Sequence, residues 1–321
     1  MFELIPKNTT IDFVGKRHLW MILSVVFIGA AIALFLIKGP NYGIDFSGGA
    51  EVQLKFVKPI QMDQLRDTLE KAGFQNLVIQ QLGETNADQY LVKFRGDEAG
   101  LQQIGIKVQE TLVAKMPRSD FEVQRLDVVG PQAGSELRKS GFLSMFYTML
   151  CILIYVWIRF EARYSPGAVL ALIHDSFITI GVFVLLQKEF TLQIVAAILT
   201  IIGYSNNDTI IVYDRIRETL KAYPNRSLED NINRSINETL SRTLLTSACT
   251  LIVVIALMVY GGGVIHEFAF TMCIGIVVGT YSSIFIASPT LIWLTHLQEK
   301  REKAANGKSR GPVLGSSKSV V

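Results

Sequence analysis

Six apolar blocks, each long enough to cross a bilayer, dictate what this chain can become. They lie at about 19–38, 140–158, 166–187, 190–212, 243–261 and 267–294. The hydrocarbon core of a bilayer is about 30 Å thick, so a spanning helix needs about 20 mostly apolar residues. Inside that core each backbone N–H and C=O must be satisfied within the segment, and for blocks of this length the solution is an α-helix. The blocks predict an α-helical membrane protein with six transmembrane helices. The chain as a whole is 50% hydrophobic and only 18% charged, with a mean hydropathy of +0.34.

The first block, Leu19 to Ile37, exceeds the apolar core of a secretory signal, and Lys38-Gly39-Pro40 after it offers no small-x-small cleavage site. It is expected to remain as transmembrane helix 1 (19–38), preceded by a cytoplasmic N-terminal segment, 1–18, with Lys7, Lys16 and Arg17. Orientation follows from the distribution of cations. Arg215, Arg217, Lys221, Arg226, Arg234 and Arg242 crowd a 213–242 loop, Arg159 and Arg163 separate spans two and three, and Lys300, Arg301 and Lys303 follow span six. The opposite loops carry only Lys188 with Glu189, and Gly261-Gly262-Gly263. Both termini are therefore expected in the cytoplasm. The net charge of +3 is explained by this asymmetry and calls for no nucleic-acid partner. Cys151, Cys249 and Cys273 all fall within spans and suggest neither a metal site nor a disulfide framework.

Between spans one and two, 39–139 breaks the hydropathy pattern. Glu51 to Val57 alternates as a strand; Met62, Leu65, Leu69 and Ala72 share a helical face. Leu77 to Leu82 and Tyr90 to Phe94 read as strands flanking a turn at Gly83-Glu84-Thr85-Asn86. Leu101, Ile104, Val108 and Leu112 mark a second helix and Phe121 to Val129 a final strand. The order βαββαβ is that of a ferredoxin-like α+β domain, which the topology puts on the extracytoplasmic side. It contains no histidine or cysteine, which favours a contact domain over an active site. Residues 140–298 are expected to form a five-helix bundle. Residues 299–321 form a cytoplasmic tail, whose Gly/Ser/Lys mixture from Ala304 predicts disorder.

Asn41 to Gly49 ("NYGIDFSGG") closely resembles the "G-x-D-F-x-G-G" signature of the SecD/SecF protein-export family, and a domain-sized loop after the first of six spans is the layout of half an RND-type transporter. Val129-Gly130-Pro131, "YVWIRFE" (155–161), "ALIHD" (171–175), "GYSNNDTIIVYDRIRE" (203–218) and "SRTLLTS" (241–247) resemble the SecF branch, and the matches run in order from about residue 6 to 298. The resemblance implies an accessory subunit of the Sec translocase that works with a SecD-like six-span subunit. Together they use the proton gradient to assist export of unfolded proteins through the translocon channel of the bacterial inner membrane, without a cofactor.

Asp208 is the residue with most at stake. A carboxylate in a span costs about 2.5–3.5 kcal/mol on insertion scales and normally faces a bundle interior or watery cavity. Ile210-Ile211-Val212 carry apolar surface beyond it, against the alternative of an acid in headgroup water. Span four runs inward and span five returns, so Asp208 and Arg242 lie at similar depth. The resemblance implicates the matching aspartate and arginine in proton movement; the alternative for Arg242 is a positive-inside anchor. Asn206, Asn207, Ser205 and Thr209 either serve the carboxylate or glue helices together, and Thr246 lies one turn from Arg242. His174-Asp175, at mid-membrane, is either a second relay pair or a neutral hydrogen-bonded one, Asp175 being the stronger candidate. Asp214 reads as a solvated helix-end charge. Thr271, Gly275, Gly279, Ser283 and Ala287 form a small-residue stripe for close helix packing, and Asp45, Gly48 and Gly49 fix a tight turn after span one.

Three functions outside proton-driven export compete. A free-standing exporter of lipids or small lipophiles is disfavoured by a chain with half the usual spans. A structural scaffold predicts that Asp208→Asn is tolerated. An enzyme lacks a nucleophile–base set, metal spacing or phosphate loop.

Overall fold

The computed structural model describes residues 9–58, 60–74, 77–81, 88–94, 103–115 and 117–309. Lys7, the 83–86 turn, Leu82, Leu101 and the tail beyond 309 lie outside the described residues. Among the described residues, six helical segments are long and apolar enough to cross a membrane. The first is α1 (Arg17–Lys38). After the short β1 (Asn41–Tyr42) and α2 (Ile44–Ser47) comes the sheet domain: β2 (Gly49–Phe56), α3 (Met62–Lys71), β3 (Val78–Gln81), β4 (Gln89–Phe94), α4 (Ile104–Lys115) and β5 (Phe121–Val129). The bundle continues with α5 (Pro131–Arg159), α6 (Ser165–Leu185), the two-residue β6 (Glu189–Phe190), α7 (Leu192–Ala222), α8 (Leu228–Tyr260) and α9 (Gly262–Ser282). A π-helical segment, Ser283–Ala287, joins α9 to α10 (Ser288–Ser309) within one continuous span.

The sheet domain has strand order β3-β4-β2-β5 with every pairing antiparallel. That is the split βαβ arrangement. Alternation along β2 puts Ala50, Val52, Leu54 and Phe56 on the helix-covered face with Leu65, Leu69, Val108 and Leu112. Met62 and Ala72, placed by periodicity on the same face as Leu65, are exposed; Met62 is the first residue of α3 and Ala72 lies one past its last.

The bundle is concentric. The spans in α6 and α7 are more than half buried, whereas those of α1, α5 and α8 are mostly exposed along their most apolar stretches. The expected 213–242 loop is largely helix. Span four continues to Ala222 and span five begins at Leu228, because hydropathy marks where a helix leaves apolar surroundings, not where it stops. Ser227 caps the new start by accepting from Asp230 N at 3.0 Å, with Glu229 and Asp230 in the first turn. α10 likewise runs through the first residues of the expected tail, to Ser309.

The N-terminal segment docks on the extended part of α8. Asn237 Oδ1 accepts from Ile11 N at 2.9 Å, and Asn233 Oδ1 accepts from Phe13 N at 2.8 Å. Both amide groups donate back to Ile11 O. Two asparagines one helical turn apart thus take the place of a neighbouring strand.

Candidate functional site

α7 carries Asp208 on its inward face. At 1.5 Å per residue the acid sits about 24 Å along the axis from Leu192, and the helix continues well past it. Asp208 is 2% exposed, and its Oδ2 has no hydrogen-bond partner among the described residues. The side chain that meets the carboxylate from α8 is that of Ser247. Ser247 Oγ in turn lies 2.8 Å from Thr280 Oγ1 on α9. Arg242, also on α8, forms no ion pair with Asp208 among the described residues and lies on an exposed face.

A second acid is held quite differently. Asp175, on α6, is fully buried. Its Oδ2 accepts from Ser205 Oγ of α7 at 2.6 Å and from Ser282 Oγ of α9 at 2.9 Å. Its Oδ1 lies 3.0 Å from His174 Nδ1. The His174 ring stacks against Tyr281 at 5.8 Å between centroids, and its Nε2 is buried without a partner among the described residues. Ser282 is the last residue before the π segment, where Ser288 Oγ donates to Ser283 O at 3.1 Å. A π turn inserted into a long helix frequently marks a functional site, and here it begins directly after the serine that reaches Asp175.

The remaining expected residues divide by face. Asn206 is buried beside Asp208 in sequence, with Oδ1 unpartnered. Thr209 is buried and its hydroxyl donates to Ser205 O. Asn207 is exposed, 100° around the helix from each neighbour. Ser205 serves Asp175 in place of Asp208. Thr246 is exposed and its hydroxyl donates to Arg242 O and Thr243 O, so it does not share a cavity with Asp208. Thr243 and Ser247 are buried instead, and sequence reasoning missed both. The spacing of four between them was the available signal. Thr271, Gly275, Gly279 and Ser283 line the face of the last span that meets the bundle. A Cβ on Gly275 would run into the Ile201 side chain, and one on Gly279 would lie 2.9 Å from Ser205 Cβ, so this stripe lets α9 lie directly on α7.

At the sheet-domain end, Gly48 and Gly49 have φ of +75° and +146°, and added Cβ atoms would lie 2.8 Å from Pro131 Cα and 2.6 Å from Phe94 O. Both glycines are needed for conformation and for close approach. Asp45 does more than shape a turn. Its Oδ2 accepts from Leu192 N at 2.8 Å, capping α7 where the local N-cap, Thr191, makes no side-chain cap.

Six spans with a split βαβ domain after the first define one half of an RND-type membrane protein. The profile "Protein export membrane protein SecD/SecF, C-terminal" matches residues 108–297, and that of the "SecD/SecF GG Motif" matches 33–60. The chain belongs to the SecD/SecF family, on its SecF branch. It is 45% identical to a protein translocase subunit SecF of Calditerrivibrio nitroreducens over 93% of this chain and 98% of the relative. The SecF subunit of Pseudomonas aeruginosa is 36% identical, over 91% and 94%. Among solved structures, SecDF of Thermus thermophilus, a translocon-associated membrane protein, superposes with a TM-score of 0.80 at 33% identity, over 91% of this chain. The chain spans 40% of that SecDF polypeptide.

Proposed function

We propose that this multi-pass membrane protein is the SecF half of a proton-driven accessory complex of the Sec translocase. It pairs with a SecD-type six-span subunit in the bacterial inner membrane, with both termini cytoplasmic and the sheet domain outside. There it assists unfolded polypeptides leaving the translocon channel. It is a coupling subunit and not an enzyme. The observation that carries this reading is the unpartnered carboxylate oxygen of Asp208, buried where α7 meets α8. A proton is the smallest ligand such an oxygen can take. An approaching cation favours the ionised acid, and its withdrawal favours the protonated one. Motion of α8 that carries Arg242 toward or away from Asp208 thus converts proton uptake and release into displacement. Each charge crossing the membrane supplies about 2.3 kcal/mol per 100 mV.

Support for a paired subunit comes from the open face of α7. Gln193, Ala196, Thr200, Gly203 and Asn207 are all exposed, at alternating spacings of three and four. Small and polar residues in such a row suit a second helix better than lipid.

The test is export into energised inner-membrane vesicles with and without an uncoupler. Asp208→Asn is expected to accumulate and to bind its partner normally, since the amide matches the acid in size. It is expected to lose the uncoupler-sensitive part of export, because an amide carries no proton through the cycle. Full retention of that part refutes the reading.

A further inference from the structure

One ionic cluster lies outside the proton site, between the sheet domain and the bundle. Lys93, on β4, is 9% exposed. Its Nζ is bound directly by Glu189 of β6 and lies 3.6 Å from Glu51 of β2. Glu51 and Lys93 face each other across the antiparallel pair. Glu189 belongs to the loop that opens α7, where Glu189 and Phe190 pair in parallel with Asn41 and Tyr42. A buried lysine thus has two carboxylates of different allegiance, one within its own domain and one on the bundle.

The chain connectivity gives this contact its importance. β2 and β5 run directly into the membrane segments, at Gly48-Gly49 and at Gly130. β4 has no covalent link to a span. Its noncovalent tie to Glu189 therefore opposes rotation of the sheet on the bundle. The same short loop supplies Gly43 with its acceptor, Phe190 O, at 3.0 Å, and Asp45 with Leu192 N. These residues give the sheet domain a direct noncovalent connection to α7, the helix of Asp208.

We propose that Lys93 is a releasable pin, paired with Glu189 when the sheet domain is seated on the outer end of α7 and with Glu51 when it is lifted. Stripping one partner from a buried ion leaves an uncompensated charge, which is strongly unfavourable. Glu51 removes that obstacle, because the lysine keeps a partner in both positions while Glu189 passes into water. In the seated position Glu51 is the weaker partner. Burial pushes its carboxyl above the usual range, Lys93 opposes that, and Glu189 and Asp127 add to it. Asp127, across from Glu51 on β5, is itself held by Arg125 at 2.6 Å, so Lys93 is the cation left to the other two acids. The proposal concerns seating alone and does not rest on proton transfer at Asp208.

The two carboxylates must then act in opposite directions, which a merely structural cluster does not do. Hydrogen–deuterium exchange of the full-length chain in lipid nanodiscs reads seating through peptides covering 39–46 and 187–192. Glu189→Gln is expected to speed exchange there severalfold, and Lys93→Met to do the same. Glu51→Gln is expected to slow it, since the lysine loses its alternative. Peptides from β2 and β5 report that the domain stays folded, and Glu51→Ala gives the same comparison should the glutamine variant not accumulate. Changes of the same sign in the two glutamate variants, or no change in Glu189→Gln, overturn the proposal.

Discussion

Ser205 Oγ donates to Asp175 Oδ2 at 2.6 Å from a position three residues before Asp208 on the same helix. The two buried acids of the bundle are thus attached to one turn of α7, one by way of a serine and one directly. Asp175 has its oxygens occupied by partners from α6, α7 and α9, whereas Asp208 retains an oxygen without a partner among the described residues. Two carboxylates in one bundle are built for different tasks. The first ties three helices together, and the second is the one that the proposed cycle protonates and deprotonates.

This division predicts unequal sensitivity to removal of a hydroxyl. Ser205→Ala takes one donor from Asp175 and is expected to cost about 1 kcal/mol, in line with interhelical hydrogen bonds in membranes. Asp175→Asn places an amide against two hydroxyl donors and is expected to cost more, about 2–3 kcal/mol. Asp208→Asn is expected to lower stability least of the three. Unfolding in mixed detergent micelles checks the order; an Asp208→Asn variant less stable than Asp175→Asn contradicts it.

Glycines on two helices separate contact within the chain from contact with a partner. Gly275→Val drives a branched side chain into Ile201, and overpacking of this kind costs about 1–3 kcal/mol, visible as a lower melting temperature of the purified chain. Gly203 has no atom within 4 Å of an added Cβ. Gly203→Val is therefore expected to leave the melting temperature of the isolated chain unchanged and to reduce co-purification with the six-span partner. Equal recovery of the partner removes the support that the α7 stripe gives to pairing.

Much of this architecture was legible because bilayers impose simple rules. The six apolar blocks became six spans, and alternation in 51–57 with the apolar positions of 104–112 marked the split βαβ domain. Features that depend on helical phase or on distant pairing were less legible. Asn206 and Asn207 are chemically identical, yet a 100° step buries one and exposes the other. The same step buried Ser247 and left Thr246 outside, and only a three-dimensional partner such as Asp208 decides which of the two matters. Asp45 reads as a turn residue locally. Its acceptor role toward Leu192, 147 positions away, has no local signature. The early start of α8 did have one, in Ser227 and Asp230, which hydropathy overrides.

The Asp45 cap yields a local prediction. Asp45→Ala leaves the first turn of α7 without its acceptor, and loss of an N-cap typically costs about 1 kcal/mol. Asp45→Asn keeps an oxygen in place and is expected to retain most of the stability. Exchange at the amides of 192–195 is expected to rise in the alanine variant and to change little in the asparagine variant. Similar exchange in both variants assigns Asp45 to the turn alone.

The strongest discrimination at the proton site comes from two adjacent hydroxyls on α8. Ser247 is buried beside Asp208 and connects it to Thr280 of α9. Thr246 faces outward and is satisfied by its own helix. If Asp208 exchanges protons, the hydroxyl that can hydrogen-bond the ionised acid contributes to the cycle, and the outward one does not. Ser247→Ala is expected to reduce uncoupler-sensitive export severalfold, Ser247→Thr to retain most of it because the hydroxyl stays, and Thr246→Ala to match the unsubstituted protein. Each variant is normalised to its co-purified partner, which separates coupling from assembly. A larger loss in Thr246→Ala than in Ser247→Ala reverses the assigned faces of α8 and, with them, the placement of Asp208 against that helix.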